Sequence, residues 1–196
     1  MPLLIVIIII FFPIRALSLD IQSREMPSHI QINAIGSMEI CIVPGEDCAA
    51  VAVGVIEHAR ARIWLLGYGF SNEEILDALI AAKDRGVDVR VVLDHSNETS
   101  RSSGGRGSAS PHSGAAMVDR AGIPTLIDHS VKIMHHKVMV VDEDQVVLGS
   151  FNWTDSANRR NAENLNVFRG NPALAHYYAQ VFLQRAEAAQ AYRAAP

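Results

Sequence analysis

The chain has 196 residues, a length that favours one domain and can bury a core without staples. Its 17 Lys and Arg against 21 Asp and Glu give a formal net charge of -4. That balance excludes a broadly basic surface for coating nucleic acid, so any positive charge used on a phosphodiester must be local. Residues Leu3 to Phe12 form an unbroken apolar run, followed by Pro13, Arg15 and the small-residue pattern Ala16-Leu17-Ser18. The run reads as a secretory signal over residues 1–18, cut near Ser18. The alternative is an uncleaved anchor, for which Pro13 and Arg15 arrive too early, because a spanning helix needs about 20 apolar residues. Either reading puts the protein in a secreted or periplasmic location.

Residues 19–38 are a mixed, polar lead-in, and the domain proper is expected over 39–196. Ile40 to Val43 is a strand candidate. Cys41 and Cys48 bracket a Pro-Gly turn that can bring them together as a disulfide in an oxidising compartment. Two separate thiols, one in a strand and one at a helix start, are the other reading. Two cysteines do not supply a zinc site of the usual four-ligand kind, and no metal or other cofactor is expected. Asp47 can cap a helix from Cys48 to about Arg62, with Val51, Val55, Ile56 and Ala59 on one face. A strand over Ile63 to Tyr68 follows. A second helix is capped by Ser71 or Asn72 and ended by Gly86, and Val87 to Asp94 is the next strand.

Ser96 to Gly114 is rich in Ser and Gly and lacks apolar residues, so it is read as a long loop. Its Arg101 and Arg106 suit either contact with a polyanion or simple solvation. A short helix over Ala115 to Ala121 and a strand over Pro124 to Asp128 come next. Then follow strands at Val131 to Met134, Lys137 to Val141 and Gln145 to Leu148, a last strand at Asn164 to Arg169, and a helix over Pro172 to Arg193, a packing or dimer element. Alternating strands and helices give an α/β domain, a mixed central sheet with helices on both faces.

The chemistry is concentrated in His135-His136-Lys137-Val138-Met139-Val140-Val141-Asp142. Strand side chains alternate between faces, so His135 and Lys137 share one face and Asp142 takes the other. Adjacent histidines point opposite ways and make a poor chelate. Ser150, Asn152 and Glu163 follow. An imidazole held by a carboxylate such as Glu163 can attack phosphorus, while Lys137 and Asn152 can donate to the phosphate oxygens. His95 and His129 sit at strand ends, where loops often line sites, and are read as incidental. His136 is read as a neighbour packed on the opposite face rather than a substrate contact, and Trp153 as core rather than a base-stacking platform. Arg159 and Arg160 are open to phosphate or to water.

His135-x-Lys137-x4-Asp142, then Gly149-Ser150-x-Asn152, then Glu163, resembles the motif of the phospholipase D superfamily. The turn between Cys41 and Cys48, the strand ending at Phe70, Arg85 to Val91, Ala121 to Pro124 and the stretch Gly149 to Asn164 resemble its small single-motif bacterial nucleases. The resemblance spans about residues 40–170. It implies that His135 attacks phosphorus to form a phosphohistidine, and that a second histidine protonates the leaving oxygen and then activates water. With one motif per chain, the second histidine comes from His135 of a second subunit, which implies a homodimer sharing one active site. Lys137, Asn152 and Ser150 would bind phosphate, Glu163 would orient a histidine, and Asp142 would be structural. The loop at 96–114 departs from the family by its length. The functions implied are a non-specific endonuclease on DNA or RNA, a phospholipase D acting on phospholipid headgroups, or a nucleic-acid-binding module that has lost catalysis.

Overall fold

A computed structural model describes residues 29–99 and 113–194. The segment read as a signal, most of the lead-in, and Arg101 and Arg106 lie outside the described residues. Eight strands form one sheet: β1 (Ser37–Val43), β2 (Arg62–Gly67), β3 (Asp88–Asp94), β4 (Thr125–Asp128), β5 (Lys137–Val141), β6 (Gln145–Gly149), β7 (Glu163–Arg169) and β8 (Gln190–Ala191). Five helices accompany them: α1 (Cys48–His58), α2 (Glu73–Asp84), α3 (Gly114–Arg120), α4 (Asp155–Arg159) and α5 (Pro172–Ala188). The strand order is β1-β7-β6-β5-β2-β3-β4-β8. β2, β3 and β4 run parallel, and every other pairing is antiparallel. The mixed sheet expected from the sequence is therefore present.

Helices cover both faces. Ile56 of α1, Ile75 and Leu79 of α2 and Val118 of α3 pack with Ile63, Leu65, Val91, Met139 and Val167 in one buried cluster. On the other face α5 inserts Ala175, Ala179 and Phe182 among Leu66, Val92, Val138, Val140 and Val146. The Phe182 ring stacks on Trp64 with centroids 5.1 Å apart. Successive residues Leu65 and Leu66 thus serve different cores, the signature of a strand buried on both sides.

Side-chain caps place the helix starts. The side chains of Asp47, Asn72, Ser113, Thr154 and Asn171 accept from the first-turn amides of α1 to α5 in turn. A disulfide joins Cys41 to Cys48 with Cα atoms 5.7 Å apart, tying β1 to the start of α1.

Several boundaries differ from the sequence reading. The first helix ends at His58, not Arg62, because the Asp142 carboxylate takes the amides of Arg60, Ala61 and Arg62. Val131 to Met134 is not a strand. The Met134 amide donates to Asp94 and the Ser130 amide to Asp128, so the segment is fixed by side chains and has no ladder partner. The last helix stops at Ala188, and the chain then pairs with β4 as β8. The start of the segment read as a long loop is a 3-10 turn over His95–Glu98, and α4 is an element that the sequence reading lacks.

Candidate active site

The register of the sheet brings the motif to one edge. Gly67 at the end of β2 lies opposite Lys137 at the start of β5. β6 ends at Gly149, which lies opposite Leu165, two residues into β7. Lys137, Ser150 and Glu163 therefore occur at the same end of three successive strands. His135 lies just before β5 rather than on it, and remains exposed. Its position is set by the amide of Tyr68, which bonds the His136 carbonyl at 3.0 Å, and by the Lys137 ammonium, which donates to the carbonyl of His135 at 3.0 Å.

Lys137 is 7% exposed. Its Nζ lies 5.0 Å from the Tyr68 ring centroid. Burial pushes its pKa below the ordinary 10.5, while the Glu163 and Asp94 carboxylates pull it back up. A desolvated ammonium with few protein acceptors is well suited to an incoming anion, whose oxygens would meet a charge that water no longer screens.

Glu163 is held on both oxygens. Ser150 Oγ donates to one at 2.6 Å and Asn161 Nδ2 to the other at 2.8 Å. Ser150 Oγ also accepts from the Asn164 amide at 3.0 Å, so this hydroxyl is engaged in positioning Glu163. A Cβ at Gly149 would collide with the carbonyl of Asn164, which explains the glycine of the Gly-Ser pair. Asn152 Oδ1 is buried with no hydrogen-bond partner among the described residues. Such an atom is costly to leave unpaired, and it lies close to Gly69 at the end of the β2 segment.

His136 follows His135 and is also exposed. Partial desolvation of its ring, Arg185, Lys137 and His135 lower its pKa, with Asp128 opposing them. Asp142 stands at the far end of β5 from Lys137. Its carboxylate receives the three amides of Arg60, Ala61 and Arg62, and its backbone has a φ of 51°. His95 and His129 stack at 5.7 Å beyond β3 and β4, each beside a carboxylate, Asp94 or Glu98. Trp153 is buried, its Nε1 donating to the Leu66 carbonyl. Arg159 pairs with Glu74 at 3.6 Å, and Arg160 is exposed.

The sequence reading did not single out Tyr68, whose ring lies 4.5 Å from that of His135 and also contacts Lys137. Nor did it find Asn97, which accepts from the Phe70 amide and donates to the carbonyls of Tyr68 and Asp94. The one available signal was an aromatic residue at the end of an apolar strand just before Gly69.

The chain matches the family described as cardiolipin synthase, PLD-like domain, over residues 53–186. It is 37% identical to a phospholipase D of Rickettsia felis over 166 residues, which is 84% of this chain and 78% of the relative. It is 30% identical to the human mitochondrial cardiolipin hydrolase over 148 residues, 75% of this chain and 53% of that longer protein. The crystal structure of Nuc, a phospholipase D family member from Salmonella typhimurium, superposes with a TM-score of 0.72 and 32% identity. That match covers 81% of this chain and 99% of Nuc. The match contains both the strands that converge at Lys137 and the edge where Ser150 and Glu163 meet, so on sequence and fold together the chain belongs to the phospholipase D superfamily.

Proposed function

We propose that this protein hydrolyses phosphodiester bonds without a metal ion, through a covalent intermediate on His135. One observation carries the reading: an exposed imidazole beside a nearly buried ammonium, with a two-point-anchored carboxylate, Glu163, in electrostatic reach of that ammonium. His135 attacks phosphorus with a ring nitrogen, forming a P–N bond as the P–O bond to the leaving group breaks. Lys137 and Asn152 donate to the phosphate oxygens while charge accumulates there. A second imidazolium gives its proton to the leaving oxygen. As a neutral base it then takes a proton from water, which attacks phosphorus and releases His135.

The second imidazole is that of a second copy. His136 adjoins His135 on the chain and carries the Arg185 and Lys137 charges against its protonation, and His95 and His129 are engaged with Asp94 and Glu98 at the ends of β3 and β4. Glu163 makes its two bonds to Ser150 and Asn161 and none to His135 of its own chain, which suits orientation of the partner's histidine. A homodimer is further supported by Met38, Ile40 and Ile42, which are 50–56% exposed on the part of the sheet that α5 leaves open. The Cys41–Cys48 disulfide supports an oxidising, exported location.

The leading substrate is nucleic acid, cut endonucleolytically, as the resemblance of the motif stretches to small single-motif nucleases implies. The likeness to Nuc, over 81% of this chain and 99% of Nuc, supports the same small phospholipase D-like fold. A phospholipid headgroup is the second reading. It is favoured by Val131 and Ile133, 38% and 50% exposed, which flank Lys132 just upstream of His135, and by relatives named phospholipase D. The test is a parallel assay on a small soluble diester, single- and double-stranded DNA, RNA and phosphatidylcholine, each with and without EDTA. Turnover of the small diester and of nucleic acid, unchanged by EDTA, is expected. Cleavage of lipid alone among the natural substrates would favour the second reading. Loss in EDTA with rescue by a divalent ion would overturn the metal-free course.

A further inference from the structure

We propose that Tyr68 is a positioning residue whose aromatic face holds His135 and the ammonium of Lys137 in their working relation. Resting on the reading of this edge as the reactive site, it adds a residue that the motif does not contain. The Tyr68 ring meets the His135 ring at 4.5 Å between centroids, tilted by 55°. The Nζ of Lys137 lies over the same ring at 5.0 Å. One side chain thus touches both groups.

The mount of this ring is unusually well determined. Its amide bonds the carbonyl of His136 and its carbonyl accepts from Asn97 at 2.8 Å. Asn97, itself buried, also receives the Phe70 amide at 3.1 Å and donates to the Asp94 carbonyl at 3.0 Å. On the other side Trp153 donates from its amide to the Gly69 carbonyl at 3.1 Å and from its indole to the Leu66 carbonyl at 3.0 Å. The segment from Leu66 to Phe70 is therefore pinned from both the turn after β3 and the chain after β6. The contacts of the Tyr68 side chain with His135 and with Lys137 are both made by its ring, which assigns the effect to the ring.

Physics gives the ring two jobs. Its negative face favours the charged form of a desolvated ammonium. Packing against the imidazole limits the rotamers of an otherwise exposed His135, which keeps the attacking nitrogen near its line of approach. The other charges near Lys137 are the carboxylates of Glu163 and Asp94, which act in the same direction as the ring, and the neighbouring His136.

The test compares the wild type with Tyr68→Phe, Tyr68→Leu, and a variant carrying 3,4,5-trifluorophenylalanine at position 68, which keeps the shape and removes most of the ring's negative face. Two readouts are taken: the titration midpoint of Lys137 followed by its 13Cε NMR shift, and kcat and KM on a small soluble diester across pH. Tyr68→Phe should match the wild type. In the fluorinated and Leu variants the Lys137 midpoint should fall by about half a pH unit or more, with the basic limb of kcat moving alongside. In Tyr68→Leu, kcat should fall about tenfold with a much smaller change in KM. A fluorinated variant with the Lys137 midpoint of the Phe variant would overturn the proposal, as would a Phe variant as damaged as the Leu one. The fluorinated variant guards against a Leu variant that fails to fold. The NMR readout needs no turnover, so a wild type inactive on every diester would refute the proposed function and still leave the role of the ring decided.

Discussion

Lys137 shows at the scale of one residue how this site trades stability for reactivity. Its ammonium is nearly out of water, and what compensates it is a backbone carbonyl, an aromatic face and carboxylates that belong to other networks. A lysine whose native pKa is depressed binds fewer protons than it does in the unfolded chain. Stability is therefore diminished while the group is charged, and recovers as pH rises from the native pKa towards 10.5. Lys137→Met keeps the length of the side chain and removes the charge. We expect it to abolish turnover while leaving the thermal midpoint unchanged or raising stability by about 1 kcal/mol. A variant that lost stability substantially would show that the ammonium is part of the scaffold.

At the scale of elements, much of the fold was legible because apolar runs of strand length alternate with helical stripes ended by Gly and capped by Asp, Asn or Ser. The paired strands β5 and β6 and the two-sided burial of β2 and β3 follow from such runs. What was not legible depended on long-range side-chain bonds. The end of α1 is decided by Asp142, about 80 residues away along the chain, which collects three amides before β2 begins. Val131 to Met134 has the composition of a strand, yet Asp94 and Asp128 take its flanking amides. β8 required knowing that β4 leaves an open edge. The site followed the same division. His135, Lys137, Ser150 and Glu163 were readable from spacing, and their meeting at one sheet edge follows from the register. Tyr68 acts through contacts with residues about 70 positions away, which an aromatic residue before Gly69 only hints at, while Asn161 holds Glu163 from two residues away, a local bond that the motif does not include. The role of Asp142 yields a direct expectation. Asp142→Ala leaves three amides without their anion, and should cost about 2 kcal/mol in urea unfolding. Turnover per folded molecule should be retained. A stable variant that is catalytically dead would instead place Asp142 in the chemistry.

At the scale of the whole molecule, the proposed use of a second copy's histidine makes the reaction depend on assembly. If one dimeric site uses both copies of His135, mixed dimers of wild type and His135→Ala have no working site. Activity of freely exchanged mixtures should then fall as the square of the wild-type fraction, measured against a linear fall for independent sites. A linear result, or full activity of a strictly monomeric protein at high dilution, would refute the shared site. The exposed ridge of Met38, Ile40 and Ile42 is the surface to follow by solvent protection in the same samples. The most direct measurement of the central claim is a rapid quench at alkaline pH, which preserves phosphoramidate bonds, during turnover in EDTA. The peptide containing His135 is then analysed by mass spectrometry. A phosphoryl adduct on His135 that forms within a turnover and is absent from His135→Ala is predicted; turnover at the full rate with no adduct on His135 would contradict the account.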